Sequence, residues 1–175
     1  MDYEYVFSIG QDSHRFIGSE SVNLAADRKI PMGQRLGGVW IEDSPSLDAN
    51  SDGDVILHAL TNAVSGITGV NILGRKADEM CLEEGITDSA AYLLEALRFL
   101  EDRKIIHVSF SVECKTPRLA AYISDIRLGV SMLLSIPVDS VCITATSGED
   151  LTAFGRGEGI MVTCAITVRK AQREI

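Results

Sequence analysis

Ser51-Asp52-Gly53-Asp54-Val55-Ile56-Leu57-His58-Ala59-Leu60-Thr61-Asn62-Ala63-Val64-Ser65 is the stretch on which the reading of the fold turns. Val55, Ile56, Ala59, Leu60, Ala63, Val64 and Ile67 recur at helical spacing and make one apolar stripe, so residues 54–68 read as an amphipathic helix. Asp54, His58, Thr61, Asn62 and Ser65 fall on its other face. Ser51 with Asp54 three residues later resembles a capping box, which starts the helix there and leaves His58 little more than one turn inside it.

Working outward, Tyr3, Tyr5, Phe7 and Ile9 alternate with Glu4, Val6 and Ser8, which predicts a strand that delivers Gly10-Gln11-Asp12-Ser13-His14 at its end. Residues 17–35 are mixed and polar with scattered Gly and Pro and read as a long loop or flap before a short strand over Leu36–Ile41. Beyond the central helix, Gly69–Asp88 is charged and without clear periodicity. Asp88 or Ser89 then caps a helix with Ala90, Leu93, Leu94, Leu97 and Leu100 inward. In 107–114, Val108, Phe110, Val112 and Cys114 alternate with polar residues and give a strand with one buried face, with His107 at the surface or an interface. Thr116-Pro117 reads as the start of a helix carrying Leu119, Ile123, Ile126, Val130, Leu133 and Leu134, and 141–146 and 158–168 read as two closing strands. Strands alternating with helices predict a two-layer α+β fold of α/β type, a mixed sheet with helices on one face. The 175 residues, 46% hydrophobic, suffice for one domain spanning 1–175.

Sixteen Lys and Arg against 25 Asp and Glu give a formal charge of −9, which argues against a nucleic-acid or anionic-membrane partner. No signal pattern or membrane-length apolar run is present, so the expected location is the cytoplasm. Cys81, Cys114, Cys142 and Cys164 lack paired metal-site spacing and read as reduced core residues.

Two of the three histidines belong to one constellation. Residues two apart in an extended chain point to the same side, so Asp12 and His14 converge, and His58 is the natural third ligand. Three ligands drawn from His, Asp and Glu with an open fourth position are what catalytic zinc takes. The alternative is a solvated surface histidine beside an ordinary turn. A second constellation, Thr144-Ala145-Thr146-Ser147-Gly148-Glu149 followed by Phe154-Gly155-Arg156-Gly157-Glu158-Gly159, joins hydroxyls, a carboxylate, glycines and an arginine that suit a phosphate with a divalent cation. Its alternative is a glycine-rich hairpin with surface charges.

Taken together, Gly10-Gln11-Asp12-Ser13-His14-Arg15-Phe16, Leu36-Gly37-Gly38-Val39, Ser51-Asp52-Gly53-Asp54-Val55 through His58-Ala59-Leu60-Thr61, Thr116-Pro117-Arg118 and Phe154-Gly155-Arg156-Gly157-Glu158-Gly159-Ile160 resemble the 2-C-methyl-D-erythritol 2,4-cyclodiphosphate synthase family. The resemblance implies a homotrimer with active sites between neighbouring subunits, Zn2+ on Asp12, His14 and His58, and Mg2+ or Mn2+ on Glu149 beside the substrate phosphates. It implies conversion of 4-diphosphocytidyl-2-C-methyl-D-erythritol 2-phosphate to the cyclic diphosphate and CMP, in isoprenoid precursor synthesis by the non-mevalonate route. Ser147, Glu149 and Asn50 match catalytic positions, and Thr146, Arg118, Ser51 and Arg156 match positions toward the cytidine diphosphate-type substrate.

The chain departs from that pattern at several places, among them Ala77-Asp78-Glu79 where the family continues Phe-Pro-Asp and an insertion around residues 17–35. Asn50 stands where the family has a histidine, Ile72 where it has a sugar-binding aspartate, Ser147 where it has a threonine, and Asp150 where it has a lysine. Besides the synthase, two further readings follow: a divergent member acting on another nucleotide diphosphate, and a non-catalytic trimeric metal- or ligand-binding protein.

Overall fold

The computed structural model describes residues 2–18 and 32–171. The chain runs β1 (Tyr3–Arg15), β2 (Met32–Leu36), β3 (Val39–Pro45), α1 (Val55–Thr68) and α2 (Arg75–Asp78), the last continuing into a π-helical turn over Glu79–Glu83. It continues through α3 (Ser89–Leu97), β4 (Lys104–Glu113), α4 (Ile123–Leu134), β5 (Val141–Thr146) and β6 (Gly159–Ala171). The sheet order is β1-β6-β4-β5, with β1 and β4 both antiparallel to β6. β5 is parallel to β4, and α4 lies in the crossover between them. This is the mixed, two-layer α+β arrangement that the sequence predicts.

The helices cover one face. Val108, Phe110 and Val112 of β4 and Ile160, Val162, Cys164, Ile166 and Val168 of β6 are buried there with α1, whose Val55, Ile56, Leu57, Leu60 and Val64 are fully enclosed. Each of these larger side chains contributes about 1.5–3 kcal/mol by leaving water. Close packing of α1 on β1 depends on Gly10: a Cβ there would lie 2.1 Å from the Ala59 carbonyl oxygen and 2.2 Å from the Ala63 nitrogen. Two hydrogen bonds fasten the same contact, Ser8 Oγ donating to the Ala63 carbonyl at 2.6 Å and Asn62 Nδ2 to the Gln11 carbonyl at 3.0 Å.

Several local expectations are corrected. The strand expected over Leu36–Ile41 is a hairpin: Gly37 and Gly38, with φ of 60° and 82°, turn the chain between β2 and β3. The loop expected over 17–35 falls largely outside the described residues, and Met32–Leu36 within reach of it is strand. Asp54 is itself the N-cap of α1, accepting from the Ile56 and Leu57 amides, so Ser51 is not the cap. The polar face of α1 is not solvated: His58, Thr61 and Ser65 are buried. Gly69–Asp88, without periodicity in sequence, contains α2 and the π turn.

Leu94 is exposed because α3 instead turns Tyr92, Leu93 and Ala96 inward. The helix expected from Thr116-Pro117 begins only at Ile123, since Arg118 is extended and a short 3-10 turn intervenes. Cys114 and Cys164 are buried, and burial pushes the Cys114 thiol up to about 11. Cys142 is exposed on the uncovered sheet face and Cys81 is only half-buried, so these two are not core residues. The alternation in β1 is present, yet its aromatic side, Tyr5, Phe7 and Ile9, faces away from the helices and is exposed.

Candidate metal centre and phosphate loop

The period of two along β1 puts Ser8, Gly10, Asp12 and His14 on the helix-covered side. Because Gly10 lets α1 lie directly on that strand, His58 in the second turn of α1 meets the strand's end. His58 Nδ1 is 3.1 Å from Asp12 Oδ2, His14 Nε2 is 3.3 Å from the same oxygen, and the two ring nitrogens are 3.4 Å apart. Zinc bonds of about 2.0–2.2 Å in tetrahedral array put neighbouring ligand atoms about 3.3–3.6 Å apart, so these three atoms nearly outline one face of that tetrahedron. One carboxylate oxygen and two imidazole nitrogens also have the softness zinc takes. The trio is a zinc-type site, and its open side gives onto a cavity of about 220 Å³.

Electrostatics reinforce the geometry. Burial pushes the Asp12 carboxyl up, but hydrogen bonds and charge from His14 and His58 outweigh it and hold the group at about 2. The hydrogen bond to Asp12 raises His14 above its ordinary 6.5, against the opposing effect of burial. His14 is further tied to the backbone of Asp48. His58 Nε2 lies 2.8 Å from Ser89 Oγ, at the start of α3.

The helix that carries His58 is anchored by a residue whose part the sequence reading missed. Asp54 is fully buried and accepts from Gly37 and Gly38 at 2.8 and 2.7 Å as well as from the first amides of α1. Burial raises its carboxyl while these backbone donors pull the other way. The Gly37-Gly38 turn thus docks on the helix N-terminus. An acid followed by an unbroken apolar helix is the signal that marks such a cap.

Asn50 and Ser51 line the cavity beside the trio. Ile72 does not: it is 2% exposed and packed into the core, and Leu73, Gly74 and Asp78 face the cavity in its stead. Cys81 and Tyr92 also line the wall, and neither was singled out in the sequence for this purpose.

The second constellation lies elsewhere. Thr146 ends β5, and Ser147, Glu149 and Asp150 follow it, all exposed, with Ser147 Oγ donating to Glu149 Oε1 at 2.6 Å. Glu149 and Asp150 both hold left-handed backbone, φ 48° and 60°, a conformation that costs a side-chain-bearing residue free energy and tends to persist at working sites. Lys115 Nζ pairs with Asp150 at 2.6 Å, and Arg156 Nε with Glu158 at 2.8 Å. Arg118 is exposed nearby in sequence to Lys115. β5 and β1 sit at opposite edges of the sheet, three strand spacings or about 14 Å apart. Within one chain, therefore, the structure does not bring Glu149 to the trio.

Comparison with known proteins bears on both constellations. The profile of the YgbB family matches residues 5–169. The 2-C-methyl-D-erythritol 2,4-cyclodiphosphate synthase of Chlamydia trachomatis serovar L2b is 42% identical over 168 residues, covering 95% of this chain and 89% of its own. A solved 2C-methyl-D-erythritol-2,4-cyclodiphosphate synthase superposes with a TM-score of 0.77 at 25% identity over 93% of this chain and 99% of that one. The bifunctional IspDF of Campylobacter jejuni gives a TM-score of 0.82 at 23% identity, and there 98% of this chain covers 44% of the longer protein.

Proposed function

Because the chain belongs to the YgbB family, we infer that it converts 4-diphosphocytidyl-2-C-methyl-D-erythritol 2-phosphate to 2-C-methyl-D-erythritol 2,4-cyclodiphosphate and CMP. The observation that carries this reading is the Asp12, His14 and His58 triangle, set at zinc-ligand separations in a chain 42% identical to a curated synthase. The reaction moves one phosphoryl group: an oxygen of the 2-phosphate attacks the β-phosphorus, a new P–O bond closes the ring, and the bond to the α-phosphate oxygen breaks as CMP leaves. Such a transfer asks chiefly for alignment and for neutralisation of charge. Bound at the trio, zinc supplies Lewis-acid stabilisation of phosphate oxygens.

The chain's own groups divide the remaining work. Asn50 and Ser51 at the cavity mouth offer uncharged donors to the phosphate next to the trio. Thr146 and Ser147 offer hydroxyls, and Ser147 is free to donate to phosphate once it releases Glu149. Glu149 would hold Mg2+ or Mn2+ through its carboxylate oxygens, while Arg118 and Arg156 supply positive charge toward the nucleotide side.

A homotrimer joins the two constellations. The exposed apolar side of β1, with Tyr5 59%, Phe7 78% and Ile9 65% accessible, supports burial against further copies, and the separation of Glu149 from the trio supports a site completed across a subunit boundary. The chain acts in this reading as one domain, and free rather than paired cysteines support a cytoplasmic setting. Among the described residues no helix is long and apolar enough to cross a membrane.

The test is CMP release from the named substrate by purified protein supplied with zinc and magnesium, alongside sedimentation to read the assembly. Turnover is expected, from a trimer. A folded, zinc-loaded protein that releases no CMP would overturn the substrate assignment, and a monomer at working concentration would overturn the shared site.

A further inference from the structure

His58 is held from behind by two residues that no metal or substrate role has claimed. Its Nε2 faces Ser89 Oγ at 2.8 Å. Ser89, wholly buried at the first position of α3, donates its hydroxyl to Asp52 Oδ1 in a very close contact, and its backbone amide donates to Asp52 Oδ2 at 3.2 Å. Asp52 is itself fixed, its amide donating to the Thr87 carbonyl at 2.9 Å and its Oδ1 accepting from the Asp54 amide at 3.2 Å.

Counting protons decides the direction of this chain. A carboxylate can only accept, and a serine hydroxyl has one hydrogen. With that hydrogen committed to Asp52, Ser89 Oγ has only lone pairs to offer, so Nε2 must carry the ring proton. In the neutral ring Nδ1, the atom that faces Asp12 and His14, is then bare, and only the doubly protonated imidazolium donates from it to Asp12. We propose that Asp52 and Ser89 form a positioning relay that locks His58 in the tautomer with Nδ1 free for zinc. The relay is needed because Asp12 Oδ2, 3.1 Å from Nδ1, pulls the ring proton to the wrong nitrogen. His14 differs: among the described residues it is the backbone of Asp48 that holds it, which no substitution of side chain removes. A hydrogen-bonded partner behind a metal-binding imidazole sets both its orientation and its basicity.

The proposal rests on the zinc reading, and its test separates the two. Zinc affinity is measured by competition with a chromogenic chelator for the wild type, Ser89→Ala and Asp52→Asn. The tautomer of His58 is read by imidazole nitrogen shifts in the metal-free proteins at a pH where the ring is neutral. Expected is an Nε2-protonated ring in the wild type and a shift to the Nδ1-protonated form in Ser89→Ala, with zinc bound about 10–100-fold more weakly. Asp52→Asn, which keeps an acceptor for the hydroxyl but drops the charge, should fall between, and it serves if Ser89→Ala does not fold. Unchanged zinc affinity in a folded Ser89→Ala, or a His58 ring whose tautomer ignores the substitution, overturns the relay. A wild type that binds no zinc overturns the metal reading instead, and the tautomer still decides the relay.

Discussion

The metal corner and the phosphate loop are built in opposite ways. Asp12, His14 and His58 have side chains less than a quarter exposed and sit on a strand and a helix locked together through Gly10. Ser147, Glu149, Asp150 and Arg156 are exposed on a loop, and their hydrogen bonds run mainly to loop neighbours and to Lys115. One chain is enough to set zinc-ligand separations to within a few tenths of an ångström. The loop carries hydroxyls, carboxylates and charge on exposed side chains that its own neighbours organise only in part.

The strongest way to break this contrast is to remove one group from each side. His58→Ala should reduce zinc content to background and turnover by more than about 100-fold, with little change in helix content because the apolar stripe of α1 is untouched. Glu149→Gln should lose turnover to a similar extent while zinc stays at wild-type stoichiometry. Metal analysis with CMP-release rates reads both. Loss of zinc from Glu149→Gln would show that the two regions are one unit after all, and full activity in that variant would remove Glu149 from the chemistry.

A smaller effect sharpens the comparison in stability terms. Gly10→Ala forces a methyl against the backbone of α1, and overpacking of this kind costs about 1–3 kcal/mol. Because the displaced helix carries His58, zinc affinity should fall with it. On the loop, Arg156→Ala removes a pair with Glu158 in which both side chains are about half exposed, and should change stability by less than about 1 kcal/mol. Denaturant melts distinguish the two. Equal destabilisation would mean that the loop is as structurally committed as the β1–α1 contact.

The same difference explains what was legible in the sequence. Periodicity puts Asp12 and His14 on one side of a strand, whereas His58 is joined to them by residue type and by the family resemblance, since spacing alone leaves an ordinary surface histidine open. Glu149 could be flagged by residue type but not placed, because its position depends on a left-handed turn and on what lies beyond β5. Asp54 was read as part of a box when it is the cap itself, and its second duty toward Gly37 and Gly38 comes from a hairpin that the sequence presents as one strand. The exposed aromatic side of β1 inverts the usual rule that the apolar face of a strand turns to the helices. Gly10 is the reason, since the strand needs its smallest residue where α1 presses and leaves Tyr5, Phe7 and Ile9 to the open side.

The subtlest prediction concerns the proton that the metal corner holds when zinc is absent. His14 titrates above 6.5 in the folded chain, chiefly through its hydrogen bond to Asp12, and at about 6.5 when unfolded. The folded state therefore binds that proton more tightly. Its contribution to stability is complete below the unfolded value and disappears as pH rises through the folded one. Zinc binding must run the other way, because the proton has to leave before Nε2 can serve as a ligand. Melts of zinc-free wild type against zinc-free His14→Gln should differ most on the acidic side of about pH 6.5 and converge in alkaline solution. Over the same interval the wild type's zinc affinity should climb. If the gap between the two zinc-free proteins stayed constant with pH, the Asp12–His14 pair would store no proton-linked energy, and the corner's tightness would be a matter of packing alone.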